Sequence, residues 1–183
     1  MMRQLLVAAL LSLTMLGAAA APPAFIAADV PEARLAGEGE YTWFGMRIYR
    51  AQLWVGANGY QGAASATAPF VLELRYARSL DSKKIAEASY EQMQKIGAGT
   101  PEQRLAWLAT MQRIFPDVKE DQRIAGAYRA GIAPGVRFYL DGKVLADVND
   151  GDFARAFFAI WLSPSSTAPK LRAALLQSAA PLP

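Results

Sequence analysis

The stretch that most constrains this chain lies near its C-terminal end, Asp152-Phe153-Ala154-Arg155-Ala156-Phe157-Phe158-Ala159-Ile160-Trp161-Leu162, where Arg155 is the only charge past the first turn. A helix apolar on nearly every side has to be buried, and this one is too short to cross a bilayer. Asn149 or Asp150 can cap its start, and Ser163-Pro164 stops it. The residues just before it supply a surface to receive it. Val136-Arg137-Phe138-Tyr139-Leu140 alternates, Asp141-Gly142 suits a type I′ turn, and Lys143 to Val148 returns. Asp-Gly between two alternating runs is a strong hairpin signal, because both turn residues need positive φ. The expectation is a central core helix lying on a sheet that includes this hairpin.

More strands stand upstream. Leu35 to Phe44 reads as a strand loosened by Gly37 and Gly39, and Gly45 permits a turn into Met46 to Gly56. Alternation along that second strand puts Tyr49, Ala51, Leu53 and Val55 on one face and Ile48, Arg50, Gln52 and Trp54 on the other. Ala57 to Thr67 reads as a loop. Phe70 to Arg78 is a strand with Phe70, Leu72, Leu74 and Tyr76 facing one way. Two helices follow. The first runs from Asp81 to Ile96, with Ala86, Tyr90 and Met93 on one side and Gly97 after it. The second opens on Thr100-Pro101-Glu102-Gln103, a capping-box signature, and carries Leu105, Leu108, Met111 and Phe115 as its apolar side. Asp121 to Gly131 fits either strand or helix, with a strand paired to the hairpin favoured. A short helix over Ala168 to Gln177 follows the core helix. Strands and helices are segregated rather than alternating as βαβ, which argues for an α+β fold with an antiparallel sheet covered by helices on one face.

Composition and the N-terminus bound the function classes. The chain is 53% hydrophobic, inflated by Met1 to Ala20, where Arg3, an apolar run from Leu5 to Leu16, and Ala18 and Ala20 make a secretory signal peptide pattern. The expected organisation is residues 1–20 as signal peptide, 21–34 as a loose leader, 35–178 as one domain and 179–183 as a disordered tail, in a protein exported to the periplasm or secreted. No membrane span is expected after cleavage. The formal charge is only +3, with basic residues scattered, so nothing points to nucleic acid. With no Cys and no His, disulfides, thiol chemistry, a Ser-His-Asp triad and zinc sites of the usual composition are excluded. No calcium-type loop is present and no cofactor is expected.

Three features together carry a resemblance: Ile48-Tyr49-Arg50-Ala51-Gln52-Leu53-Trp54, the Phe138-Tyr139-Leu140-Asp141-Gly142-Lys143 hairpin, and the Phe153 to Ser163 helix. In order and spacing they resemble the bacterial chalcone isomerase-like proteins, over roughly Leu35 to Leu176. The resemblance implies an open-faced β-sandwich, a large antiparallel sheet with helices on one side. Plant chalcone isomerases cyclise a chalcone using an Arg and a Tyr, with Thr, Asn and Ser/Thr in the cleft, and related non-catalytic members bind fatty acids there. Placed without gaps on this chain, those positions carry Glu38 for the Arg, Arg50 for the strand Thr, Asp81 near the Tyr, Ala88 near the Asn and Ile160 for the Ser/Thr. Glu38 would repel an enolate and Ile160 cannot donate a hydrogen bond, so the isomerase pattern is unmatched.

The candidate ligand-binding residues are Arg50, Glu38, Asp81, Trp54 and Trp161. Arg50 is expected as a cleft cation that holds a carboxylate or phenolate, or as the partner of Glu38 or Asp81. Trp54 and Trp161 either wall a pocket or belong to the core. The leading expectation is a non-catalytic protein that binds a small amphipathic molecule, a fatty acid or an aromatic acid, between sheet and helices. An isomerase or lyase with Glu38 or Asp81 as base is one alternative. A structural or partner-binding envelope protein is the other.

Overall fold

The computed structural model describes residues 21–62 and 68–182, so the expected signal peptide lies outside the described residues. Among the described residues six strands form one antiparallel sheet: β1 (Arg34–Trp43), β2 (Met46–Val55), β3 (Phe70–Tyr76), β4 (Arg123–Arg129), β5 (Gly135–Leu140) and β6 (Lys143–Val148), in spatial order β1-β2-β3-β4-β5-β6. The helices are α1 (Ala24–Asp29), α2 (Ser82–Lys95), α3 (Pro101–Ile114), α4 (Gly151–Leu162) and α5 (Pro169–Leu175). The fold is α+β, as the segregated element order predicts.

The core helix and hairpin form where the sequence puts them. Asp141 and Gly142 take φ of 48° and 78°, which closes β5 on β6. Asp150 caps α4 by accepting from the Asp152 and Phe153 amides, both at 2.9 Å. Phe153, Ala154, Phe157, Phe158, Ile160, Trp161 and Leu162 are all buried in one large core. That core is an aromatic lattice. Phe158 meets Phe70 edge-on at 4.7 Å, and Phe138 meets Phe157 at 5.1 Å and Phe115 at 5.1 Å. Gly126 on β4 gives Phe158 its seat, since a Cβ there would stand 3.2 Å from that ring. The centre of the sheet–helix interface is therefore filled by side chains rather than left open as a cleft.

Thr100 and Gln103 make the expected capping box at the start of α3, and the expected apolar side of α3 turns inward except at Leu105. Leu105 is 57% exposed, while Trp107 is buried and donates from Nε1 to Asp150 at 3.1 Å. Met111 and Phe115 are buried beside Trp107, and Leu108 packs against the same core.

The segment expected as a loose leader is instead ordered structure. Residues 24–29 form α1, and Ile26 and Val30 are fully buried against Trp54, Val71, Ala125, Ala127 and Tyr139 on the far side of the sheet. That side carries its own apolar patch, which has to be covered, and α1 covers it. The expected disordered tail is also held. The Tyr60 amide donates to the Ala179 carbonyl at 2.8 Å and the Leu182 amide to the Ala57 carbonyl at 2.9 Å.

Candidate functional site

Cross-strand partners point to the same face of a sheet, so the register orders the side opposite α4. One row runs Glu40, Arg50, Arg75, Arg123, and the next runs Glu38, Gln52, Glu73, Ala125, Tyr139. Arg50 pairs with Glu38, whose other oxygen accepts from Gln52 Nε2 at 2.8 Å. The Gln52 hydrogen bond, then the Arg50 one, hold the Glu38 carboxyl below the usual carboxylate range. Arg75 pairs with Asp121 at 2.9 Å. Beneath this row lies Glu73, only 5% exposed, with Oε2 lacking any hydrogen-bond partner. Burial pushes its pKa up, against the opposing pull of Arg123 and Arg75. Arg50, Gln52, Glu73, Arg75 and Arg123, together with Pro23, line a polar hollow of about 200 Å³.

This geometry corrects the expected site. Arg50 does not stand between sheet and helices. Tyr49 takes the inward position, and the alternation sends the Arg50 side chain, 52% exposed, to the opposite face. The two tryptophans also separate. Trp161 faces inward and donates from Nε1 to the Tyr49 hydroxyl at 2.9 Å, while Trp54 faces outward under α1. Asp81 occupies the capping position of α2 without a side-chain capping bond and pairs with Lys84 at 3.0 Å. Of the five candidates, only Glu38 and Arg50 meet each other.

Glu73 gives a pH-dependent prediction. Its folded-state pKa is raised above the unfolded value of 4.5, so the folded state holds the proton more tightly. The resulting stability is fully present below pH 4.5 and is lost as pH rises through the folded-state value. Glu73→Gln should therefore be more stable than wild type at pH 7 by about 1 kcal/mol, because it removes an unsatisfied buried charge. Urea melts at pH 7 and pH 4 check this; the advantage has to shrink at the lower pH.

A second, larger concavity lies on the helix side. It measures about 590 Å³ and is walled by Ala159 and Leu162 of α4, Leu176 and Ala179 beyond α5, and residues 60–62 after β2. Arg172 stands at its rim. Its Nε donates to the Leu162 carbonyl at 2.9 Å, and no carboxylate pairs with it among the described residues. α5, which carries Arg172, sits very close to the sheet. A Cβ at Gly37 would stand 2.0 Å from the Ala174 carbonyl oxygen, and one at Gly39 2.8 Å from Leu171 Cδ1. The glycines that look like strand loosening in the sequence are the seat of α5.

Arg172 and Glu73 are the residues that sequence reading missed. The signal for Arg172 is faint, a cation beside Leu171 in a short apolar helix. Glu73 had a clearer one, a carboxylate in mid-strand two residues from Val71 on the same face. Among the described residues no cluster of three or more metal-ligating side chains occurs.

Helices on one face of an antiparallel sheet, with the Tyr49 strand and α4 in contact, is the arrangement that the resemblance implies. The sequence pattern of the chalcone isomerase-like family matches residues 19–177. The chain belongs to that family. An uncharacterized protein of Haemophilus influenzae is 30% identical over 140 residues, 76% of this chain and 66% of the relative, so the chain spans just under two thirds of that relative's length. Among solved structures, an Arabidopsis thaliana fatty-acid binding protein superposes with a TM-score of 0.63 at 13% identity, covering 81% of this chain and 89% of that one. At that identity the likeness shows the fold. The positions that the ungapped placement assigns to the isomerase's polar residues do not gather into one site in this chalcone isomerase-like chain. Glu38 and Arg50 lie on the outer sheet face, Asp81 and Ala88 are exposed on and beside α2, and Ile160 is buried in α4.

Proposed function

We propose that this protein binds one small amphipathic molecule, a fatty acid or an aromatic acid, and does no chemistry on it. The observation that carries the reading is the groove beside α4 and α5: apolar walls, a volume of about 590 Å³, and a single guanidinium, Arg172, at the rim. Ligand pockets are typically about 300–1,000 Å³, with apolar walls for affinity and a few polar groups for orientation. The fold-matched protein of Arabidopsis is by name a fatty-acid binder, which supports the same ligand class. Arg172 takes the orienting role that the sequence suggested for Arg50. Chalcone isomerisation is absent on this reading, since Glu38 and Ile160, placed on two of the isomerase's polar positions, give a developing enolate no donor. Export through the N-terminal segment belongs to the same proposal.

Native mass spectrometry of the protein purified from its own cells is the direct test. A co-purified lipid or aromatic acid is the expected result; a bare chain that also takes up no added palmitate in calorimetry would sink the proposal. Arg172→Ala should weaken binding of palmitate about tenfold and leave hexadecanol unaffected, because only the acid uses the charge-assisted contact.

One observation favours a second reading, an enzyme. Glu73 is a buried carboxylate with a raised pKa facing a hollow, the environment of many general bases. Glu38, held ionised by Gln52 and Arg50, is poorly suited to that task, and so is the exposed Asp81. A turnover assay in which Glu73→Gln abolishes conversion of a carbonyl substrate would favour this reading over simple binding.

A further inference from the structure

The β1–β2 hairpin ends in an apolar tip that stands exposed among the described residues. Trp43 is 57% exposed, Phe44 84% and Met46 44%, and the Trp43 and Phe44 rings touch edge-on at 4.8 Å. The turn is a two-residue one with φ of 47° at Phe44 and 75° at Gly45. Both positions are left-handed, which suits Asn-Gly or Gly-Gly. A bulky residue there is uncommon and costs on the order of 1 kcal/mol. Phe44 touches no core residue that would offset this cost, so folding alone gives no reason for it. A register shift between Tyr41 and Thr42 also re-aims the end of the hairpin. From Tyr41 to Arg50 the chain holds Arg47 and Arg50 and no acidic residue. Arg78 reaches the tip from the end of β3, its Nη1 lying 3.1 Å from Met46 Sδ with no carboxylate partner among the described residues. Arg47 pairs with Glu40 at 3.2 Å.

We propose that this tip is a membrane-docking device: Trp43, Phe44 and Met46 enter the interfacial layer of a bilayer, and Arg47 and Arg78 lie against anionic headgroups. Aromatic side chains favour the headgroup level of a membrane, and surface binding grows with buried apolar area plus attraction to anionic lipid. The tip's shape favours a fluid occupant over a protein. It projects beyond the fold, with nothing within 4 Å of a Cβ at Gly45. Its side chains offer roughly 400 Å², about half of what each partner contributes to a standard protein interface. A lipid interface needs no matching concave surface. The tip lies at the far end of β2 from the groove, so this inference stands whether or not the groove holds a ligand.

The test uses the full chain, which has no native cysteine. A polarity-sensitive dye on Thr42→Cys reads the tip directly, and the same dye on Lys170→Cys, exposed on α5, serves as the control for tethering elsewhere. With vesicles of equal phosphatidylcholine and phosphatidylglycerol, the tip dye should shift to the blue and the α5 dye should not. Pure phosphatidylcholine or raised salt should weaken the shift. Phe44→Asn fits the turn better, so its melting temperature should be equal or higher, while the vesicle-dependent shift of the tip dye falls about tenfold in apparent affinity. No tip shift, an equal shift in Phe44→Asn, or burial of the tip by a second copy without vesicles would each overturn the proposal.

Discussion

Phe158→Ala should lower the unfolding free energy by about 4 kcal/mol, within the range for deleting a buried phenyl ring. Phe158 is fully buried. It touches Phe70 at 4.7 Å, Phe157 at 5.6 Å and Tyr128 at 6.1 Å, and its ring rests on Gly126. Gly126 has no side chain to move into the vacated space, and the surrounding rings are stiff, so the cavity would collapse poorly. A domain of this size is stable by about 5–15 kcal/mol in total, so the loss should show plainly in a urea melt. A cost under about 1 kcal/mol would contradict the seating of α4 on the sheet.

Gly37→Ala should cost about 3 kcal/mol and loosen α5. Strand propensity argues the other way, since Ala orders a strand better than Gly. The clash decides the sign. The added methyl would stand 2.0 Å from the Ala174 carbonyl oxygen and 2.7 Å from that of Leu175. Both atoms are backbone, so no rotamer relieves the contact and the helix itself has to shift. Overpacking of this kind costs about 1–3 kcal/mol, and a backbone obstacle puts it at the upper end. Amide exchange over residues 169–175 should quicken, and any ligand of the adjacent groove should bind more weakly. Unchanged exchange in that helix would show that the close approach of α5 does not hold the groove.

Most of the fold was legible in the sequence because it rests on local chemistry. The Asp-Gly turn, the Asp150 cap, the Thr100–Gln103 box and the almost wholly apolar α4 each state their structure within a few residues. The two faces of β2 followed from alternation alone. What sequence could not say was which face the helices would take, and with it the place of Arg50. That depends on which apolar set is larger across all six strands, a non-local sum. The short α1 was illegible for a related reason. Its six residues carry little helical signal, and it exists because Trp54, Val71 and Tyr139 form an outer patch that only the assembled sheet brings together. The groove was missed because its walls come from segments far apart in the chain.

The strand order has a consequence for how the molecule is made. Every strand pairs only with those adjacent to it in the chain, and α2 and α3 are spliced as a separate helical pair between β3 and β4. As the polypeptide emerges N-terminus first into the compartment where it folds, each newly arrived strand meets a neighbour that is already present, and only β3 waits, across the α2–α3 pair, for its partner β4. The growing edge stays open only until the next strand docks, which limits the time it can recruit a stray chain. α4 arrives after the last strand and closes a sheet that is already complete.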